Sequence, residues 1–336
     1  MFDRLLTSLM HDQQIPGLAC ALHRGGSLVY EGYHGLANLE HDVPVTAESV
    51  FEIASVTKLF TAQAILRLAQ EKRLALDDPI HDYVPGLPDA WRGVTIRHIL
   101  IHQSGIPSFT DPPRYWEITR EEKSLDQILA LVRDQPLRYA PGERHSYDNT
   151  GFYLLGYVIE RVSGIAYADY LKQTIFDPLG MTQTRTNDYT AVIPHRVHGY
   201  DLKEGVIVNK PYYSVTNTFS AGNVVSTVRD LLAWRASLFD DTILNADLRR
   251  LWWTPYPSQS ANERANSFSI GLGWFMVDSP FGTFYGHNGG IQGFASSYIY
   301  YPQTDTTAII LVNTSRVTEP HRIAFAMLQH EIDKPL

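Results

Sequence analysis

Cysteine is nearly absent: one in 336 residues. Cys20 has no partner for an internal disulfide, so its presence leaves the redox compartment open. Positive charge is also in short supply, with 28 Lys and Arg against 36 Asp and Glu and a net charge of −8. That balance excludes a general binder of nucleic acid or of anionic membranes, both of which need a basic face. No apolar run approaches the ~18–20 residues that span a bilayer. There is no Gly-x-Ser-x-Gly, hence no nucleophile elbow of the α/β-hydrolase kind. P-loop and dinucleotide fingerprints are missing too, as are repeats, low-complexity tracts and linkers. His98 and His102 have the spacing of two zinc ligands on one helix, but Ile99 stands where His-Glu-x-x-His has its glutamate. No metal is expected there.

The start of the chain carries Asp3, Arg4 and Asp12 around a short apolar patch, Leu5–Met10, which is too broken for a signal-peptide core. Leu18-Ala19-Cys20 has no apolar region before it and does not read as a lipoprotein signal. Asp3–His11 reads as an amphipathic helix packed on the body. A cytoplasmic protein with no integral membrane segment and no nucleic-acid partner is expected.

With 44% hydrophobic and 19% charged residues, the chain has the composition of a folded globular protein. Its length suits one large domain or two smaller ones. Gly17–Tyr33 alternates around Gly25-Gly26, a strand–turn–strand signal. Val56–Gln70 has helical periodicity, with Leu59, Phe60, Ala62, Ala64, Ile65, Leu68 and Ala69 on its inner side. From Leu76 to Asn217 the reading is mainly helical, the best helices being Ser124–Asp134, Asn149–Val162 and Ala166–Phe176. Thr227–Leu238 is a further helix. Phe268–Asp278, Gly293–Tyr301 and Thr306–Asn313 read as strands and Pro320–Ile332 as a closing helix. Strands at both ends around a helical middle predict an α+β fold: one antiparallel sheet, terminal helices on one face and Val56–Gln70 on the other. The expected division is residues 1–75 plus 220–336 as an α/β subdomain and 76–219 as a mainly helical one.

Three clusters carry chemistry. Ser55 and Lys58 stand three apart at the mouth of the Val56–Gln70 helix, which sets them on one face with Ser55 near the positive end of the helix dipole. A serine hydroxyl needs a base to become a nucleophile, and a desolvated lysine can be that base. Tyr147-Asp148-Asn149 lies between the Pro141-Gly142 turn and an apolar helix. His287-Asn288-Gly289-Gly290 lies between two strand-like segments, where paired glycines admit a ligand close to the backbone.

In this order the clusters resemble the serine β-lactamase and penicillin-binding-protein superfamily, in its class C β-lactamase, D-aminopeptidase and esterase-like branch. Further segments share the resemblance: Ile15-Pro16-Gly17, Gly35–Asn38, Leu76–Pro79, Ile99–Pro107, Tyr147–Gly156, Phe176–Met181 and Ala221–Thr227. It implies a β-lactamase/transpeptidase-like fold with the site in a cleft between sheet and helices. It also implies roles. Ser55 is the nucleophile that becomes acylated, Lys58 its base, and Tyr147 a second proton carrier that takes the Ser55 proton and later activates water. Asn149 orients Lys58, binds the substrate amide and is also placed to cap the helix that follows. His287, Asn288, Gly289 and Gly290 bind substrate, with the N–H groups of Ser55 and Gly290 as the oxyanion hole. A phenol serves as base only if cations lower its pKa, and Lys58 and His287 are the expected cations.

Two positions depart from the β-lactamase pattern. His287 replaces the usual lysine, which weakens the grip on a substrate carboxylate, because imidazole is mostly neutral at pH 7. Asp148 replaces a small residue; its carboxylate is expected to point away from the phenol, toward solvent. Aromatic residues offered as pocket walls are Phe109, Tyr212, Tyr213, Phe219 and Trp274. The expected activity is that of a cofactor-free serine hydrolase acting through an acyl-enzyme on a small-molecule or peptide amide or ester. A D-amino-acid peptidase or amidase, or a D-alanyl-D-alanine carboxypeptidase-like enzyme, leads. A carboxylesterase, a class C-like β-lactamase and a non-enzymatic β-lactam sensor or structural relative follow.

Overall fold

The computed structural model describes residues 2–257 and 268–332. The part of the chain that dictates the architecture is its last strand, Thr306–Val312, whose seven residues are all buried. Successive side chains leave a strand on opposite faces, so a strand buried throughout needs a core on each side. Ala308, Ile310 and Val312 enter one core together with Leu18, Cys20 and Leu22. Ile309 and Leu311 enter the other with Ala19 and Ala21.

In chain order the strands are β1 (Gly17–Arg24), β2 (Ser27–Asn38), β3 (Val43–Pro44), β4 (Phe51–Glu52), β5 (Arg185–Thr186), β6 (Tyr200–Lys203) and β7 (Val206–Asn209), then β8 (Val224–Ser226), β9 (Tyr256–Pro257), β10 (Phe268–Ile270), β11 (Phe275–Ser279), β12 (Gly282–Ile291), β13 (Phe294–Tyr301) and β14 (Thr306–Val312). Nine of them form one sheet in the order β3-β2-β1-β14-β13-β12-β11-β10-β9. Its pairings are antiparallel, and the first and last strands pair inside it, Cys20 opposite Ile310. A small sheet, β4-β8-β5, and the hairpin β6-β7 stand apart from it.

The helices are α1 (Phe2–Gln13), α2 (Thr57–Gln70), α3 (Ile96–Leu100), α4 (Pro113–Glu117), α5 (Leu125–Leu129), α6 (Asn149–Ser163), α7 (Tyr167–Leu171), α8 (Phe219–Gly222), α9 (Val228–Arg235), α10 (Ala246–Trp252) and α11 (His321–Ile332). Phe2, Leu6 and Met10 of α1 and Ile323, Ala324 and Met327 of α11 cover one face of the sheet. On the other lies the larger core, which holds α2, α6 and α9. Almost the whole surface of α2 is buried, Lys58 included, as a helix wrapped on all sides must be. Its polar side chains are satisfied internally: Thr61 Oγ1 is 2.7 Å from Tyr167 Oη, and Trp234 Nε1 donates to Gln63 Oε1. No helix among the described residues is long and apolar enough to cross a membrane.

Four sequence expectations need correction. The helix expected over Ser124–Asp134 keeps α-geometry only to Leu129, because i→i−3 bonds from Leu131 and Val132 tighten the chain ahead of Pro136. The helix over Ala166–Phe176 is present but changes at Lys172 to a π-turn. The strand expected over Phe268–Asp278 is broken at Gly271–Trp274: Gly273 has φ +89°, and a Cβ there would meet Ala62 Cβ at 2.8 Å. Finally, His287-Asn288-Gly289-Gly290 does not link two strands. It lies within one, β12.

Candidate active site

Three structural units place the reacting groups. Strand β4 hydrogen-bonds to β8 and its continuation is held by Ile53 N–H on Val224 O, 3.1 Å. The chain then turns sharply into α2 through a single 3₁₀ turn, Ala54–Val56. Ala54 takes up the turn with φ +46°, a left-handed conformation unusual for a residue with a side chain. Ser55 comes out at the wall of a cleft of about 1140 Å³. Second, α6 begins at Asn149 and brings Tyr147 and Asn149 to the same place. Third, β12 passes the Ser55 turn closely enough that a Cβ on Gly289 would lie 2.2 Å from Ile53 O.

Ser55, Lys58, Tyr147 and Asn149 meet. Tyr147 Oη donates to Ser55 Oγ at 2.8 Å. Lys58 Nζ lies 3.2 Å from Ser55 Oγ, 2.8 Å from Asn149 Oδ1 and 2.6 Å from Ala221 O. Asn149 Nδ2 donates to Thr110 Oγ1 at 3.0 Å, which fixes the amide with its oxygen toward the lysine. Lys58 has no exposed surface. Burial pulls its pKa down to about 7, although the Asp148 charge works the other way.

Tyr147 departs from expectation. Burial pushes the phenol pKa up, its bond to Ser55 offsets this in part, and the Asp148 charge adds to the rise. The expected cations do not lower it. Lys58 sits 4.9 Å from the ring centroid but is itself close to neutrality, and burial drives His287 down to about 3. His287 is therefore neutral at pH 7. Its Nδ1 faces Asn288 O at 2.5 Å, so Nδ1 carries the proton.

Asp148 does not reach solvent. It is 2% exposed, accepts from Ser104 Oγ at 3.0 Å, and accepts the Gly151 N–H with both carboxylate oxygens at 3.1 Å. It, and not Asn149, is the N-cap of α6. Asn149 is the first helical residue instead, and its N–H goes to Ser108 Oγ.

The remaining motif residues share the cleft. Asn288 Nδ2 donates to His321 Nδ1 at 2.8 Å, tying β12 to the start of α11. Gly290 faces open space. Strand β11 pairs with β12 only through Gly282–Gly286, so among the described residues His287–Ile291 has a free edge on that side. His98 and His102 are separated by function: His98 closes the capping box of α3 with Thr95, whereas His102 accepts the Asp148 N–H at Nδ1 and lays its ring 4.7 Å from that of Tyr147.

Of the aromatic residues offered as walls, Phe109 lines the cleft. Tyr213 is buried on Glu52, Phe219 packs on Tyr153 and Tyr167, Trp274 stacks on Trp234, and Tyr212 is exposed beside Tyr189. Tyr115, Trp116, Phe275, Phe284 and Phe325 line it instead. Phe275 lies in a segment read as a strand and could have been found from its place near the third motif; Trp116 and Phe325 carry no such local signal.

Residues 2–330 match the Beta-lactamase family. The chain belongs to it. Within the serine β-lactamase and penicillin-binding-protein superfamily, the chain is 29% identical over 341 residues to Penicillin-binding protein 4* of Bacillus subtilis, covering 97% of this chain and 74% of that protein. It is 29% identical over 315 residues to Protein flp of Staphylococcus aureus, where 91% of this chain spans 62% of the relative's length. The crystal structure of D-amino acid amidase from Ochrobactrum anthropi, complexed with D-phenylalanine, superposes with a TM-score of 0.83 at 25% identity, over 98% of this chain and 99% of that one. This member of the Beta-lactamase family therefore has the α+β fold expected from its sequence, and its relatives include a penicillin-binding protein and a D-amino acid amidase.

Proposed function

We propose that this protein is a serine hydrolase that cleaves amide bonds of the D-amino-acid amidase and peptidase kind through an acyl-enzyme on Ser55, with no cofactor. The observation that carries the reading is the set of partners around Lys58. A neutral amine has two N–H groups and one lone pair. Asn149 Oδ1 and Ala221 O are acceptors and take both N–H groups, which turns the lone pair to the Ser55 hydroxyl. Tyr147 already donates to Ser55 Oγ, so the hydroxyl has its own proton free to give to Lys58. A base with a pKa of about 7 is matched to work near neutrality.

In the reaction Ser55 Oγ attacks the carbonyl carbon as its proton passes to Lys58. The N–H groups of Ser55 and Gly290 receive the oxyanion. The leaving amine takes a proton through Tyr147, which is refilled from Lys58; water then attacks the ester with its proton passing back along the same path. Because burial keeps the phenol protonated, Tyr147 acts as a relay and not as a standing phenolate. The free edge of β12 offers backbone groups to an extended substrate.

Substrate class follows from charge. Among the described residues lining the cleft, the permanent cation is Arg322, and it is paired with Glu319 at 2.7 Å. His287 is neutral. A substrate whose reacting end carries no carboxylate, such as an amino-acid amide, suits such a site better than a D-alanyl-D-alanine peptide or a β-lactam. The same neutrality favours a second reading, a carboxylesterase. Similarity to an amidase whose structure holds D-phenylalanine supports the first.

The test is turnover of D-alanine p-nitroanilide, a short-chain p-nitrophenyl ester and a chromogenic cephalosporin, each with wild type and Ser55→Ala. Turnover of the anilide, a fall of roughly 10³-fold or more in Ser55→Ala and a poor rate on the cephalosporin are expected. Turnover of the ester alone makes the protein an esterase. A stable cephalosporin adduct without turnover makes it a sensor, and no labelling of Ser55 by any of the three makes it a structural relative.

A further inference from the structure

Glu52 stands on β4, three residues ahead of Ser55, and three donors converge on its carboxylate. Lys210 Nζ at 2.5 Å and Tyr189 Oη at 3.3 Å reach one oxygen, and Tyr213 Oη reaches the other. Lys210 Nζ also donates to Tyr189 Oη at 3.3 Å, which closes the network. The side chains of the pair keep 9% (Glu52) and 15% (Lys210) of their surface exposed, so this is a buried ion pair and not a surface one.

The stem of Lys210 is clamped between two glycines. A Cβ on Gly293 would meet Lys210 Cβ and Cδ at 2.7 Å, and one on Gly199 would meet Lys210 Cδ at 2.8 Å and the Phe294 ring at 2.7 Å. Gly293 has φ +76°, so the turn from β12 to β13 needs glycine on both counts. Lys210 N–H donates to Gly199 O at 3.1 Å, and the ammonium lies 4.6 Å from the centre of the Phe294 ring.

Placement gives the pair its meaning. Gly293 follows Gly290 by three residues, as Ser55 follows Glu52 by three. The two N–H groups assigned to the oxyanion, of Ser55 and Gly290, come from separate elements. The ion pair joins the strand before the first to the turn after the second. Beyond Tyr213 the same segment runs on to α8, whose Ala221 O holds Lys58.

Stability does not account for such a pair. Taking two charges out of water offsets most of their attraction, and shape-matched neutral side chains are often as stable or more so. Contact with substrate does not account for it either, because neither residue lines the cleft. What remains is geometry, since a network of oriented hydrogen bonds admits few arrangements of the parts it joins.

Resting on the Ser55 acyl-enzyme reading, we propose that Glu52 and Lys210 are positioning residues. Their ion pair braces the Ser55 turn against the β12–β13 turn and so fixes the separation of the Ser55 and Gly290 N–H groups. Those donors act on charge that develops in the transition state, so loosening them lowers kcat and leaves KM nearly unchanged.

The decisive variant is the double substitution Glu52→Gln with Lys210→Met, which keeps both shapes, removes both charges and leaves no unpaired ion. Three readouts are taken on the full chain: urea unfolding, kcat and KM on whichever chromogenic substrate turns over, and amide hydrogen exchange by mass spectrometry in peptides spanning residues 50–57 and 288–296. Stability is expected to hold or rise, kcat to fall roughly 10²-fold with KM within about twofold, and exchange to quicken in both peptides. Wild-type kcat in the folded variant overturns the proposal, as does a fall in kcat with exchange unchanged. A fall in kcat that comes with lost stability in urea reduces the pair to structural support. If the double variant does not fold, Tyr213→Phe removes one bond to Glu52 while keeping the packing, and the same split of kcat from KM is required of it. Activity that survives Ser55→Ala overturns the acyl-enzyme reading instead, and the exchange measurement still judges the brace.

Discussion

Lys58 is the residue at which stability and activity are most directly opposed. Its folded pKa of about 7 lies below the ordinary lysine value, and the cause is burial. A cation with a depressed pKa contributes fully above its unfolded value, ~10.5, and loses that contribution as pH falls through the folded one. At pH 7 nearly the whole cost is felt, roughly 4 kcal/mol at ~1.4 kcal/mol per unit. Replacing the lysine by methionine removes this cost but leaves Ala221 O without its donor, which costs about 1–3 kcal/mol. Lys58→Met is therefore expected to abolish activity and to raise stability at pH 7 by about 1–3 kcal/mol, with the gain gone by pH 10. Urea unfolding at the two pH values checks this, and a Met variant less stable than wild type at pH 7 would contradict it. The residues of this constellation were legible in the sequence because each sits in a local pattern: three apart at a helix mouth, or two apart before a helix. What each side chain does to its neighbour's proton was not legible. The inward turn of Asp148 depends on Ser104, 44 residues away, and the neutrality of His287 depends on burial by Phe275 and Tyr147.

Among the elements, β12 is the one the sequence concealed. Gly282, Gly286, Gly289 and Gly290 interrupt any alternation of apolar and polar residues, so the segment looks like a linker between strands. Its strand character comes from pairing with β13 along Tyr285–Ile291, a tertiary fact. The glycines have separate reasons. Gly290 faces open space, whereas Gly289 is pressed on the turn that carries Ser55, with Ile53 O at 2.2 Å and Ser296 Oγ at 2.3 Å from a Cβ built there. Ser296 Oγ itself donates to Ile53 O, so neither neighbour yields without moving that turn. Gly289→Ala is expected to cost about 1–3 kcal/mol in stability. It should also lower kcat/KM by on the order of 10²-fold, the usual result of shifting a reacting group by about an ångström. Gly290→Ala leaves stability unchanged within about 0.5 kcal/mol. Parallel thermal melts and kinetics on the two variants decide; wild-type kcat/KM in Gly289→Ala would show that the close contact does not position Ser55. The misread helix of Ser124–Asp134 has a different origin: the structure caps its start with Ser124 and Gln127, but the tightening ahead of Pro136 overrides the periodicity.

At the scale of the whole molecule, the sheet built from both chain ends was readable, because β1 and β14 are short, nearly continuous apolar runs and the middle of the chain carries helical patterns. What pattern cannot report is how many ionisable groups the resulting cores leave uncharged, and that number sets the response to acid. His102 and His287 are buried, and His145 packs edge-on against Phe268 and Phe275. Burial lowers all three pKa values, to about 4 for His145 and about 3 for His287. Groups of this sign contribute full stability above their unfolded pKa, ~6.5, and lose it as pH falls toward the folded value. Asp148 has the opposite sign: raised to about 7 by burial, it contributes fully at low pH and loses that contribution as pH rises through 7. Between pH 6 and pH 5 the unfolded chain thus binds about three protons that the folded histidines refuse, and the folded Asp148 binds one that the unfolded carboxylate does not. The balance of about two protons corresponds to a loss of roughly 3 kcal/mol per pH unit. His23, His34, His98 and His321, lowered by partial burial, act in the same direction. Urea unfolding from pH 8 to pH 5 should show a shallow decline of about 1 kcal/mol per unit through neutrality, set mainly by Lys58, and then this steeper fall, with a slope shallower by ~1.4 kcal/mol per unit in His145→Gln below pH 6. A curve flat down to pH 5 would mean that the histidines around Tyr147 accept protons in the folded state, and the neutral cleft from which the amide and ester preference was inferred would go with it.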